Sequence, residues 1–337
     1  MRVRARELGI AIGDNDPGRW NAITDVDGIR VGHATLVEGD SIRTGVTVVI
    51  PPEVPLFAGC HRLNGNGELT GLEWLRESGL LTTPVGITNT FSVGVVRDAI
   101  AARSADEDGW SLAVVGETYD GFLNDIRAQR VTSEHVEAAF AGAAGEAVAE
   151  GNVGGGTGMV CHGFKGGIGT ASRRVYDYAV GVLVQANYGR RERLRVDGVP
   201  VGRMVGERIP EPSTGADAGS IIGIVATDAP LLPHQCNRLA QRMGLGVGRM
   251  GGTGAISSGD LFLAFATGNR GLAVERGELE LHMLGEGEIS PLYDAVIEAT
   301  EEAILNAMLA AETMTGRDGN TVYALEPELL AELLRRS

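Results

Sequence analysis

Apolar positions in this chain gather in short runs, separated by longer stretches of helical spacing. Tyr178–Asn187 is the strongest strand pattern, and it ends in an amide. Val46–Ile50, Val85–Thr90, Leu112–Gly116, Ile221–Ala226 and Leu261–Ala266 predict further short strands. Ile23–His33 alternates apolar and polar residues around Asp27-Gly28, which predicts a hairpin or a tight strand connection. Val180–Val184 is apolar on both parities, so such sheets must be covered on both faces.

Helical spacing is expected over Leu69–Ser78, Val93–Arg103, Leu231–Met243, Pro291–Thr313 and Pro327–Leu334. A further helix starts at Ser133, an N-cap followed by Glu134 and Glu137, and its alanine-rich body reaches Ala149. Helices on either side of short buried strands predict a layered α/β protein. No fixed-period repeat and no clear linker divides residues 1–337, so a single domain is expected.

Composition narrows the function. The formal net charge is −15, which disfavours a nucleic-acid surface. Fifty glycines, dispersed among aliphatics, indicate tight turns and close backbone contacts. The cysteines, Cys60, Cys161 and Cys236, form no C-x-x-C pair, which points to a reducing, cytoplasmic setting without a structural disulfide. No signal peptide and no membrane span are expected. Lys165 is the only lysine in the chain, a bias of composition more readily than a Schiff-base lysine.

Several motifs exclude chemistry. Gly246-Val247-Gly248-Arg249-Met250-Gly251 satisfies G-x-G-x-x-G but follows a helix, whereas a dinucleotide fingerprint follows a strand. The Gly151–Gly158 loop lacks the Gly-Lys-Ser/Thr ending of a phosphate loop. The histidines are scattered and form no metal-ligand cluster, so neither metal nor cofactor is expected.

The candidate chemistry lies at Gly219-Ser220, where the polar stretch Thr214–Ala218 meets the apolar run from Ile221. A serine hydroxyl that attacks the preceding carbonyl breaks the chain and becomes a chain end. Its α-amine then titrates near about 7.7–8.0 and is a base at neutral pH. By itself the dipeptide reads first as a plain turn before a strand. Polar residues also stand at the mouths of other strands: Glu117 with Tyr119, Asn187, and Ser258 with Asp260. Each is costly there unless hydrogen-bonded. Together they supply the parts for acyl transfer.

Seven blocks in order carry a wider resemblance: Ile23–His33, Asn64–Glu68, Glu117–Gly121, Val184–Gly189, Gly219–Ile222, Ser257–Asp260 and Ala311–Arg317. On these the chain resembles the P1 peptidases, the self-cleaving aminopeptidases that include L-aminopeptidase D-Ala-esterase/amidase and the β-peptidyl aminopeptidases. The resemblance implies a four-layer αββα sandwich like that of N-terminal-nucleophile hydrolases, with different connectivity. It implies cleavage between Gly219 and Ser220 into an α chain, 1–219, and a β chain, 220–337, assembled as a homotetramer of such pairs. Ser220 then matches the nucleophile, and Asn187 and Tyr119 match groups around the oxyanion. Glu117 matches the carboxylate that receives the substrate ammonium. Ser258 and Asp260 match residues that orient the nucleophile and its amine; position 260 is Glu in some relatives.

The expected activity is release of N-terminal residues from short peptides, amides or esters through an acyl-enzyme. L-α, D-α and β-amino acids remain open as substrates. Two alternatives stand beside it. One is an acyltransferase like ornithine acetyltransferase, which uses threonine where this chain offers serine. The other is an unprocessed, non-catalytic binding protein of the same fold.

Overall fold

The computed structural model describes residues 3–105, 110–213, 219–274 and 276–336. In chain order the first half gives β1 (Arg30–Glu38), β2 (Ile42–Ile50), β3 (Leu56–Gly65), α1 (Leu72–Ser78), β4 (Leu80–Leu81), β5 (Val85–Asn89), α2 (Val93–Ser104), β6 (Val114–Thr118), α3 (Ser133–Ala141), β7 (Val160–Cys161) and β8 (Phe164–Lys165). The second half gives β9 (Gly167–Val175), β10 (Tyr178–Asn187), α4 (Val201–Val205), β11 (Gly219–Thr227), α5 (Pro233–Arg249), β12 (Ser258–Ala266), α6 (Ser290–Leu309), β13 (Met314–Thr315), β14 (Thr321–Val322) and α7 (Pro327–Arg335).

Two sheets lie face to face. One has strand order β1-β2-β5-β6, the other β4-β3-β12-β11-β10-β9. Successive side chains on a strand point to opposite faces, and the apolar residues divide accordingly. On β11, Ile221 and Val225 pack with α5 and α6, while Ile222, Ile224 and Ala226 enter the core between the sheets. On β2, Val46, Val48 and Ile50 pack with α2 and α3, while Val49 faces inward. Three apolar layers therefore separate four structural ones, helix, sheet, sheet and helix. That is the αββα sandwich, and it explains strands that are apolar on both parities.

Some elements depart from the sequence expectation. Ile23–Asp25 is a 3-10 turn, the strand begins only at Arg30, and its hairpin partner starts at Ile42. Ile23, Val26 and Ile29 are all buried in the inter-sheet core, so a spacing of three governs this stretch rather than alternation. The helix from Ser133 stops at Ala141, because Gly142 follows and Ala144 pairs with Val31. The helix expected from Leu69 starts at Leu72, because Leu69 instead pairs with Gly116 on β6. Strands β3 and β9 were not expected at all. β9 buries Arg173 against Glu298 and Glu302, polar groups that hide a strand from hydropathy. The Thr214–Ala218 part of the loop before Gly219 lies outside the described residues.

Helix α5 runs to Arg249, so Gly246–Arg249 forms its last turn and the glycine fingerprint opens no helix. A Cβ on Gly246 would stand 2.6 Å from Thr300 Cβ, so the small residue serves the packing of α5 on α6. All three cysteines are free. Among the described residues no helix is long and apolar enough to cross a membrane.

Candidate active site

Strand β11 sits in the middle of the larger sheet, antiparallel to β10 and parallel to β12. In this register Ser220 lies opposite Asn187 on one side and opposite Gly259 on the other, and Gly219 lies opposite Ser258. Directly opposed residues share a face of the sheet, so strand pairing alone brings the hydroxyl and the amide together. Further along the same face, Ile222 and Ile224 enter the inter-sheet core.

Each group is tied down. Ser220 Oγ accepts a hydrogen bond from the Gly259 N–H at 3.1 Å. The Asn187 amide is held at both ends: Oδ1 accepts from the Val160 N–H at 2.8 Å, and Nδ2 donates to the Tyr119 carbonyl at 3.0 Å. Gly219 has no room for a side chain, since a Cβ there would lie 2.3 Å from the Asn187 carbonyl oxygen. The junction is thus pressed against the strand that carries the amide.

Glu117 ends in a second, buried setting on β6. Its Oε1 accepts from the Glu68 N–H at 2.9 Å, and its Oε2 accepts from the Thr90 hydroxyl. Burial raises its pKa, and those two hydrogen bonds oppose the rise. Gly67 links this carboxylate to the serine. A Cβ on Gly67 would stand 3.0 Å from Gly259 Cα and 3.2 Å from Glu117 Oε1. Glu117 therefore stands beside the residue whose N–H holds the Ser220 hydroxyl.

Ser258 donates to Asp260 Oδ1 at 2.6 Å, and the Asp260 N–H donates to Asn64 Oδ1 at 2.9 Å. Burial raises the Asp260 pKa, opposed by the Ser258 hydroxyl and the Ile221 N–H. Both residues line a small cavity, of about 20 Å³, that also borders Gly219 and Arg193.

Tyr119 is placed differently from the other candidates. It is 50% exposed, and its ring folds over Gly121, where a Cβ would lie 2.2 Å from the phenol oxygen. Its contact with Asn187 is made by the main-chain carbonyl. Residue patterns also missed three contributors: the N–H groups of Gly259 and Val160, and the hydroxyl of Thr90. Two of these act through the main chain, which leaves no side-chain signal. Among the described residues no cluster of His, Cys, Asp or Glu could hold a metal ion.

A serine at the head of a central strand, an amide opposite it and a buried carboxylate nearby are the kinds of group from which acyl-transfer sites are built. The chain belongs to Peptidase family S58, matched over residues 21–322. It is an aminopeptidase on a fold of the Ntn-hydrolase type. It is 45% identical to the β-peptidyl aminopeptidase BapA of Sphingosinicella microcystinivorans, over 99% of this chain and 92% of that protein. A solved Burkholderia sp. β-aminopeptidase superposes with TM-score 0.94 at 53% identity, covering 99% of both chains. The L-aminopeptidase D-Ala-esterase/amidase of Ochrobactrum anthropi superposes with TM-score 0.92 at 41% identity, over 99% of this chain and 98% of that one. That structure is described as a prototype of the serine aminopeptidases and a new variant of the Ntn-hydrolase fold.

Proposed function

We propose that this aminopeptidase is made active by its own cleavage at Gly219-Ser220 and then uses Ser220 as an N-terminal nucleophile. The observation that carries the reading is the register that sets Ser220 between Asn187 and Gly259. In the uncut chain Ser220 Oγ adds to the Gly219 carbonyl, the C–N bond breaks, and an ester and a free Ser220 amine result. Water hydrolyses the ester and leaves residues 1–219 and 220–337 as separate chains. The new α-amine, a group that is a base near neutral pH, takes the hydroxyl proton in each later turnover. Asp260, with Ser258 bonded to it, orients that amine.

The substrate's own ammonium is received by Glu117 in a charge-assisted hydrogen bond. Ser220 Oγ attacks the scissile carbonyl, and its oxygen becomes an anion. Asn187 Nδ2 carries two hydrogens, one of which goes to Tyr119, and the other serves the oxyanion. The amine or alcohol then leaves, and water resolves the acyl-enzyme. Tyr119 supports this site through its carbonyl.

Short peptides, amides and esters with a free N-terminal amine are the proposed substrates. Relatives named β-peptidyl aminopeptidases support β-amino acids at the N-terminus. A homotetramer of α/β pairs is the proposed assembly. Leu279, Leu281 and Met283, exposed at alternate positions, support an interface there. The free cysteines support a reducing, cytoplasmic setting. The test is a panel of β-homo, D- and L-aminoacyl p-nitroanilides, each with its amine free and acetylated. Hydrolysis of the free amines alone supports the reading; equal turnover of acetylated forms contradicts it.

A further inference from the structure

The chain's single lysine is buried at 0% exposure. Lys165 lies on β8, in the two-residue hairpin that follows the glycine-rich loop. Its ammonium makes no ion pair within contact distance among the described residues. It rests on main-chain oxygens instead: Met159 at 2.6 Å, Gly166 at 2.8 Å and Gly156 at 3.4 Å. Burial pushes its pKa down to about 7, opposed by the nearby Cys161 and Asp120. A cation in this setting is expensive, and an aliphatic side chain would fill the same space at less cost.

The peptide unit it holds is informative. The Met159 carbonyl accepts from Lys165, and the N–H of that same peptide unit, on Val160, donates to Asn187 Oδ1. The far end of the Asn187 amide, Nδ2, gives one hydrogen to the Tyr119 carbonyl and has the other left for the proposed oxyanion. Ammonium, peptide and side-chain amide thus form one chain of hydrogen bonds in a single direction. In such a chain each bond polarises the next, and a low-dielectric interior strengthens the effect. The glycine-rich loop is the spacer: a Cβ on Gly155 would lie 2.2 Å from Gln185 Oε1 and 2.7 Å from the Ile87 carbonyl oxygen. At Gly155 only a residue without a side chain fits between the sheets on the way to Val160.

We propose that Lys165 is a positioning residue, which orients and polarises the Asn187 amide through the Met159–Val160 peptide so that its free hydrogen stabilises the oxyanion at Ser220. The inference rests on the role given above to Asn187. Lys165 touches no substrate.

The experiment compares Lys165→Met, Asn187→Ala and the double variant with the unsubstituted chain. It measures kcat and KM on a free-amine aminoacyl p-nitroanilide, and the rate of chain splitting, in which an oxyanion forms on the Gly219 carbonyl. Lys165→Met is expected to lower kcat by at least about tenfold, less than the 10²–10³ lost with an oxyanion donor. KM should stay within about twofold, because Glu117 is untouched, and splitting should slow in parallel. The double variant should lose no more than Asn187→Ala alone, since both changes break one chain. Should Lys165→Met not fold, Lys165→Gln takes its place, keeping a donor without the charge. An unchanged kcat in a folded Lys165 variant, or additive losses in the double variant, overturns the proposal. An unchanged kcat in Asn187→Ala overturns the underlying reading of the site instead.

Discussion

Asn187 is fixed by two main-chain groups, so its amide is set before substrate arrives. Preorganised donors of this kind contribute through kcat. Asn187→Ala is therefore expected to lower kcat by about 10²–10³ with little change in KM, in steady-state kinetics on one aminoacyl anilide. Glu117 should behave in the opposite way. Glu117→Gln keeps the shape but loses the charge, so KM for free-amine substrates should rise at least about tenfold while kcat falls less. The pH dependence follows from burial. The Glu117 carboxyl is raised, and only its ionised form binds an ammonium. As pH falls, protonation of the Ser220 amine begins the acid limb of kcat/KM, and protonation of Glu117 should steepen it earlier than an ordinary carboxylate would; Glu117→Gln should remove that second, steeper part and leave the first. At this scale the sequence made placement readable: Ser220, Asn187, Glu117, Ser258 and Asp260 are polar residues beside apolar runs, and all stand near strand ends. Gly259 and Val160 were not readable, because an N–H looks the same in every residue. Tyr119 was read for its phenol, yet it reaches Asn187 through its carbonyl.

Among the elements, the strands carry the site and the turns between them adjust it. Gly259 on β12 meets the Asn64–Gly67 turn so closely that a Cβ would lie 2.5 Å from the Asn66 carbonyl oxygen and 2.6 Å from Gly67 Cα. Both are main-chain atoms and neither gives way cheaply. Gly259→Ala should push that turn, with the Glu68 N–H that holds Glu117, away from β12. The expected result is a raised KM together with a lowered kcat, and a loss of about 1–3 kcal/mol in stability by urea unfolding. An unchanged KM would show that the turn does not seat the carboxylate. The apolar strands β10, β11 and β12 were legible because their residues fill cores on both faces. β3 was not, because Cys60, His61 and Arg62 interrupt its apolar pattern. β9 was hidden for a different reason: Gly167 and Gly169 leave little hydropathy to read, and Arg173 is compensated from another element.

That element is α6, and through it the whole molecule is fastened. Arg173 bonds Glu298 at 3.0 Å and Glu302 at 2.8 Å, and Arg6 reaches Glu302 from the N-terminal segment at 3.2 Å. Asn21 also donates to Glu302 at 2.5 Å. Glu302→Ala leaves the buried Arg173 with Glu298 as its one remaining carboxylate and takes the partner from Arg6 and Asn21, so it should cost about 3 kcal/mol in equilibrium unfolding. A loss near zero would show that the network is not needed for the fold. These links also join segments on both sides of residue 219, so a cut chain should stay together without a covalent bond. The pairing of β11 with β10 does the same. The account stands or falls on whether that cut occurs. Intact-mass and N-terminal sequencing of the purified, active protein should find two chains, the second beginning at Ser220, while Ser220→Ala should remain whole and inactive. A fully active protein that yields only the uncut chain, or a Ser220→Ala protein that still splits and turns over aminoacyl anilides, would contradict it.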